Sequence, residues 1–325
     1  MMNTKSGAQR AADASPAAPS RLPKVLILLA TYNGAPWLRE QFESILAQRN
    51  VDVRVLVGDD RSTDDTLALL DEWRADPRVA VHAWDNSSGS AGANFRRLYA
   101  AADLAGIDYV ALADQDDIWG SGKLDAAIAA LGRGQANGYS CAVRAFWPDG
   151  RQKVLKQHAG IRAADFLFEG AGQGCTFVVT AALFQRVQLI CREAPQLVGA
   201  LHYHDWLIYL LDRAWHGRWV FDRADYMLYR QHGGNEIGAR GGLAPVLHRL
   251  GKIRNGWYLG QVRAALAVYT HAGGSDPIVR SLGALLDAAP SLRRNLGLMV
   301  WVARHGRRSV TDRCILAISA LAGWI

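Results

Sequence analysis

Short apolar runs alternate with stretches of helical periodicity through the first 135 residues. Residues 25–30 (VLILLA) are continuously apolar, as expected of a strand buried on both faces. A turn follows at Thr31-Tyr32-Asn33-Gly34. Pro36 suits a first helical turn, and Leu38, Phe42, Ile45 and Leu46 then keep helical spacing through residues 37–48. Residues 51–57 predict a second strand that ends in Gly58-Asp59-Asp60. Ser62 or Thr63 stands where it could cap a helix over 67–73, with Asp64 and Asp65 in its first turn. A third strand is expected at 78–83, a helix from Asn94 through Phe95, Leu98 and Tyr99, and a fourth strand at 109–113 (YVALA). That strand runs into Asp114-Gln115-Asp116-Asp117. Such alternation predicts an α/β fold built on a doubly wound, mostly parallel sheet flanked by helices. Ligands gather beyond the carboxyl ends of strands in such sheets. Three polar clusters fall at those ends: residues 31–34, 59–62 and 114–117.

The pattern loosens after residue 135. It still predicts a strand at 176–180, a helix at 205–215, short strands at 219–221 and 226–229, and helical sequence from residue 243 onward. Residues 1–23 are rich in Ala, Ser and Pro without an apolar segment, and read as a disordered leader rather than a signal peptide. The expected organisation is therefore a leader (1–23), a catalytic-size domain (24–240) and a helical, basic C-terminal extension (241–325).

Charge sharpens that division. From Arg240 to the end, twelve Arg and Lys face three acids, a balance of +9, which leaves −2 of the overall +7 for the preceding residues. Basic Arg304, Arg307, Arg308 and Arg313 lie between two apolar segments, 296–303 and 315–325. This combination suits attachment to an anionic membrane surface, and equally a helical cap with a solvated basic face. No stretch reaches the ~18–20 apolar residues of a membrane span. No helix-turn-helix or zinc-finger signature points to nucleic acid. Cys141, Cys175, Cys191 and Cys314 are far apart, as expected of reduced thiols in the cytoplasm.

Asp114, Asp116 and Asp117 crowd three carboxylates at the end of a strand, where they repel unless protons or a cation compensate. Mg²⁺ or Mn²⁺ held by one or two carboxylates and substrate phosphates would do so; the plain alternative is an acidic turn capping a helix near Ser121. Asp60 could accept a hydrogen bond from the N3–H of a pyrimidine and Tyr32 could stack on the base, or the two could be turn and packing residues. His202, His204 and Asp205 also spell a short metal-hydrolase pattern without a matching downstream ligand set. GxGxxG and GxxxxGK[ST] are absent, so dinucleotide and P-loop chemistry are not indicated.

The motifs ATYNG (30–34), GDDRSTD (58–64) and DQDDIW (114–119), in this order and spacing, resemble the family 2 glycosyltransferases of GT-A fold over residues 24–236. Arg61 replaces the glycine common in the family's second motif, a change expected to matter little to the neighbouring carboxylates. The resemblance implies that Thr31, Tyr32, Asp60, Asn94, Asp114 and Asp116 bind a nucleotide-diphosphate sugar. It also implies that Asp116, Asp114 and His232 (in YRQHGGN, 229–235) hold the metal, and that Asp205 is the catalytic base. Together with HDW (204–206), these motifs look most like bacterial rhamnosyltransferases of polysaccharide assembly. The implied reaction is inverting transfer of L-rhamnose from dTDP-L-rhamnose to a saccharide or lipid-linked saccharide in cell-surface polysaccharide or O-antigen assembly. Another hexose from a UDP-sugar is the alternative, and a non-catalytic nucleotide-sugar-binding protein a more distant one. The implied location is the cytoplasm, peripheral at the inner membrane.

Overall fold

The computed structural model describes residues 21–156, 160–232 and 250–325. Residues 1–20, the end of the YRQHGGN segment and the expected 240/241 boundary lie outside them, while Arg21, within the expected leader, is tied to Asp108 at 2.7 Å.

Strand β1 (Lys24–Thr31) is apolar throughout because it feeds two cores. Leu26, Leu28 and Ala30 enter one, and Val25, Ile27 and Leu29 the other. It lies between β2 (Asp52–Asp59) and β4 (Tyr109–Asp114), both parallel to it, and β3 (Val79–Ala83) extends the sheet beyond β2. The later strands are β5 (Ile118–Trp119), β6 (Gly138–Phe146), β7 (Gln152–Leu155), β8 (Val178–Thr180) and β9 (Trp219–Arg230). They continue the same sheet in the order β3-β2-β1-β4-β8-β6-β9-β5, with β7 on β6. The parallel winding ends where β8 runs antiparallel to β4.

Helices cover both faces. Helices α1 (Ala35–Leu46), α2 (Thr66–Trp73) and α4 (Lys123–Gly134) bury their apolar stripes in one core. On the other face lie α3 (Ala91–Ala101), α5 (Ala181–Glu193), the short α6 (Pro195–Gly199) and α7 (His204–Ala214).

Several local details differ from the sequence pattern. Helix α2 is preceded by Asp65, not capped by Ser62 or Thr63; Ser62 instead binds the Asp59 carboxylate. Ser90 caps α3 by accepting from Ala93 N. The two short strands expected at 219–221 and 226–229 form one twelve-residue strand, β9. Register irregularities beside Ala142 accommodate its polar middle. Arg61 adopts φ +65°, the left-handed conformation that explains the family's glycine, and its guanidinium holds the Asp85 carbonyl at 2.6 Å.

The C-terminal region forms α8 (Trp257–His271), α9 (Pro277–Asp287), α10 (Leu292–His305) and α11 (Val310–Leu321). Val262, Val268, Leu282, Leu298, Trp301 and Leu316 join the same core as Phe166, Trp206 and Leu210, so these helices share a core with the catalytic body. The basic stretch is largely turned inward. Arg308 pairs with Asp165 at 2.7 Å, Arg307 with Glu169 at 3.2 Å, and Arg313 donates to the carbonyls of both arginines. Of the four arginines read as free for an anionic surface, Arg304 alone is exposed. No helix among the described residues is long and apolar enough to cross a membrane.

Candidate functional site

The acidic turn lies where the central strand β4 stops. Pairing of β5 with the end of β9 (Ile118 opposite Leu228, Trp119 opposite Met227) brings residues 230–232 beside residues 116–117. His232 Nε2 then meets Asp116 Oδ2 at 2.7 Å, and its ring stacks on Trp37 with centroids 4.1 Å apart. Arg230 braces the junction. Its backbone N–H donates to Asp117 Oδ1 (3.2 Å), its Nε donates to the Asp116 carbonyl (2.9 Å), and its guanidinium pairs with Glu40.

Helix α1 and the residue pair after it hold the turn from the opposite side. Gln41 donates to the Asp114 carbonyl (2.8 Å), and Ser44 Oγ accepts from Trp119 N (3.0 Å). Gln48 donates to the Gly120 carbonyl (2.8 Å) and accepts from Leu124 N (3.1 Å). The turn is thus fixed by side chains that satisfy its backbone, which pre-organises the carboxylates it carries.

Asp117 is fully buried, and among the described residues its Oδ2 has no hydrogen-bond partner. Burial pushes its carboxyl well above the usual range, and the charges of Asp116 and Asp114 push in the same direction. Ligand atoms of Asp114, Asp117 and Cys175 lie within 4.8 Å of one another. Burial, then the Asp117 and Asp114 charges, raises the Cys175 thiol as well, so it stays protonated beside them. Behind this group, Lys123 is buried with Nζ 3.4 Å from the Trp119 ring centroid, and burial lowers its pKa to about 8.

This donor set fits a hard divalent cation. Carboxylate crowding of the kind that raises Asp117 is what such an ion relieves, and an imidazole completes the set. His232 Nε2 and Asp116 Oδ2 are in hydrogen-bond contact at 2.7 Å, so an ion held by both would take the place of the proton between them.

The nucleotide-side candidates separate into mouth and frame. Tyr32 is 54% exposed at the mouth. Its backbone is clamped by Gln115, which accepts from Tyr32 N (2.8 Å) and donates to Tyr32 O (2.9 Å). Gly34 is required beneath that clamp, because a Cβ there would lie 2.2 Å from Gln115 Oε1. Asp60 is nearly buried and accepts from Ser87 Oγ (3.1 Å), Ser88 N (2.5 Å) and Gly89 N (3.3 Å), with Arg97 3.7 Å away. A carboxylate has about four acceptor directions, so these three bonds leave about one for another donor. Thr31 and Asn94 are frame residues. Thr31 Oγ1 donates to Asp59 (2.9 Å); Asn94 donates to the Gly58 carbonyl (2.7 Å) and accepts from Trp84 Nε1 (2.8 Å). Asn94 therefore locks strand ends together from inside α3, with its side chain buried rather than lining a pocket.

Asp205 sits in the first turn of α7, where Oδ1 accepts from Trp206 N at 2.7 Å. The glycine-rich segment 170–175 presses against this helix start. A Cβ on Gly174 would lie 3.0 Å from Asp205 Cβ, and one on Gly170 would lie 3.3 Å from Trp206 Cα. Gly170 and Gly174 are thus close-approach positions. The short metal-hydrolase pattern does not assemble. His204 stacks on Phe95 (3.8 Å) and meets the Tyr99 hydroxyl through Nδ1 at 2.6 Å, while His202 packs edge-on to Trp257. Burial lowers the His204 pKa to about 3, so the ring that meets Tyr99 is neutral. Sequence reasoning did not single out Gln41, Gln48, Gln115, Trp37, Arg230 or Lys123. The spacing of Gln41, Ser44 and Gln48, on one helical side, was the available signal for the first two.

The chain is similar to known proteins in sequence and fold. Residues 26–190 match the family described as Glycosyl transferase family 2. Over 239 residues the chain is 38% identical to the dTDP-rhamnosyl transferase RfbG of Shigella flexneri, covering 72% of this chain and 82% of that one. A shorter stretch of 103 residues is 38% identical to the succinoglycan biosynthesis protein ExoO of Rhizobium meliloti, covering 32% of this chain and 28% of that protein. The structure of S. aureus TarS 1-349 in complex with UDP superposes with a TM-score of 0.54, covering 93% of this chain and 88% of that one; at 13% identity the likeness speaks for the fold. The chain therefore belongs to glycosyl transferase family 2, and is a glycosyltransferase of GT-A fold.

Proposed function

We propose that the chain transfers L-rhamnose from dTDP-L-rhamnose to a hydroxyl of a saccharide or lipid-linked saccharide in cell-surface polysaccharide assembly, working at the cytoplasmic face of the inner membrane. The meeting of Asp116 with His232 at 2.7 Å, beside Asp114 and Asp117 at the end of β4, carries the catalytic part of this reading. Similarity to a dTDP-rhamnosyl transferase over most of the chain supports the choice of sugar.

Asp116 and His232, with Asp114, would hold Mg²⁺ or Mn²⁺, which when bound supplies positive charge for the departing diphosphate. Exposed Tyr32 offers its ring to the base, and Asp60 offers a buried carboxylate to its N3–H. Asp205 takes the proton of the acceptor hydroxyl as that oxygen attacks the anomeric carbon. The bond from that carbon to the diphosphate oxygen breaks, dTDP leaves, and the configuration inverts. The first turn of α7 holds this carboxylate at the helix start, beside the glycines of the 170–175 segment.

Calorimetric titration with dTDP-L-rhamnose, UDP-glucose, UDP-galactose and UDP-N-acetylglucosamine, with Mn²⁺ and with excess chelator, tests the reading. The rhamnose donor should bind most tightly and only with metal, and Asp116→Asn should remove the metal dependence. Asp205→Asn should keep donor affinity while transfer falls by ~10²–10⁴-fold. Preference for a UDP-hexose would overturn the sugar assignment. Wild-type turnover in Asp205→Asn would overturn the base.

A further inference from the structure

The outermost pair of helices, α10 and α11, carries a face that the donor chemistry does not use. Seven of the eleven large apolar side chains exposed among the described residues lie here: Leu292, Leu296, Val300, Val310, Ile318, Leu321 and Trp324, each 39–70% exposed. That concentration separates them from the scattered surface apolars any protein carries.

Helical geometry explains how they line up. The exposed positions of α10 are 292, 293, 296, 300, 303 and 304, one contiguous side opposite buried Leu298, Trp301 and Val302. On α11 and the residue after it, positions 310, 311, 314, 318, 321 and 322 are exposed opposite Leu316, Ser319 and Ala320, and none of the six is charged. The helices run side by side in opposite directions. Asn295 donates to the Leu321 carbonyl (3.3 Å) and Arg294 to the Ile325 carbonyl (3.1 Å), so the two outward sides are neighbours.

We infer that this double face is the membrane-contacting surface of the protein, lying in the plane of an anionic bilayer with α10 and α11 parallel to it. Charge selects the occupant. Of the six arginines from Leu292 onward, Arg307 and Arg308 pair with acids inside the chain and Arg313 donates to their carbonyls, so Arg293 and Arg304 are the two exposed beside the apolar face. Arg293 and Arg304 lie along one edge of the exposed side of α10, placed to reach lipid phosphates while the leucines enter the acyl boundary. Trp324 at the hairpin's end suits the headgroup level. A second copy of the chain is the competing occupant, and the state of the protein in lipid-free buffer distinguishes the two. The inference is independent of which sugar is transferred and replaces the inward-turned Arg307, Arg308 and Arg313 as the basis of membrane attachment.

Cys314 lies on this face and is the exposed cysteine of the four, which provides a local probe. The full chain, labelled there with a polarity-sensitive fluorophore, is mixed with phosphatidylcholine vesicles with or without about one-third phosphatidylglycerol. Emission should shift to the blue with the anionic vesicles, and the shift should shrink with salt. In co-sedimentation, Leu296→Glu with Ile318→Glu should weaken partitioning by at least ~10-fold. Arg293→Gln with Arg304→Gln should remove the preference for phosphatidylglycerol. Transfer to a soluble acceptor should stay at the wild-type rate in all of them. An unshifted Cys314 probe would overturn the inference, as would unchanged partitioning of the glutamate variant. A dimer in lipid-free buffer that the glutamate variant dissociates would assign the face to a second copy instead.

Discussion

Arg308 offers a test of whether the C-terminal helices are structural parts of the catalytic body. Its side chain is 4% exposed and lies between the Tyr209 and Phe221 rings, with its charge against fully buried Asp165 at 2.7 Å. It also donates to the Gly170 carbonyl at 2.6 Å, and its backbone N–H donates to Glu169. Arg308→Met keeps the volume but removes the charge. Breaking a buried pair from one side costs ~3–5 kcal/mol, and the lower end applies because Asp165 keeps Arg213 (3.0 Å) and the Tyr209 hydroxyl (2.9 Å). With an unfolding entropy of ~2.1 cal/mol/K per residue over 325 residues, ~3 kcal/mol lowers Tm by ~4–5 °C. Gly170 opens the segment that packs on the start of α7, so transfer should fall more than donor affinity. Differential scanning calorimetry on Arg308→Met, with exposed Arg304→Gln as control, measures the effect. If both variants melt with the wild type, the extension is docked too weakly to belong to the catalytic unit.

Two further perturbations probe the site's frame. Gly34→Ala places a methyl 2.2 Å from Gln115 Oε1 and must dislodge the clamp on Tyr32. Losing two hydrogen bonds of ~0.5–1.5 kcal/mol each should lower stability by ~1–3 kcal/mol and, by freeing Tyr32, weaken nucleotide binding in calorimetry; unchanged affinity would show that the clamp does not position Tyr32 for the donor. The second concerns pH. The folded pKa of His204, about 3, lies below that of an unfolded histidine, so the unfolded chain binds the extra proton. Its contribution to stability is complete above pH ~6.5 and is lost as pH falls toward 3. His204→Asn, which retains an uncharged polar partner for Tyr99, should flatten the acid side of a Tm-against-pH profile. A profile as steep as the wild type's would place the titration elsewhere.

The first half of the fold was legible because its information is local. A strand such as β1 is apolar on both faces, and helices α1 and α3 carry one apolar stripe each, so period alone distinguishes them. The turn residues at the strand ends were legible for the same reason. β6 was not, since GYSCAVRAF mixes small and polar residues and owes its burial to neighbours that arrive later in the chain. Long-range pairing also made half of the site unreadable. Nothing near Asp116 in sequence indicates that the β5–β9 ladder will deliver Arg230 and His232; motif resemblance suggested His232, while Arg230 had no motif to mark it.

Polar residues were the hardest to place, because a hydrophilic side chain can face water or a buried backbone. Gln41 and Gln48 look like the solvent side of an amphipathic helix, yet both are nearly or fully buried, holding the backbone of the acidic turn. The arginines of the C-terminal extension show the same ambiguity in charge. Composition reads +9 as an outward electrostatic surface, but the structure spends Arg307 and Arg308 on Glu169 and Asp165 and leaves uncharged side chains outside. Net charge counts ions without regard to their partners, so it cannot distinguish a docking seam from a binding surface. What distinguishes them is where the compensating acids lie. For Arg307 and Arg308 they lie inside the chain, at Asp165, Glu169 and Asp312, while Arg293 and Arg304 stand beside an apolar face with no acid paired to them among the described residues.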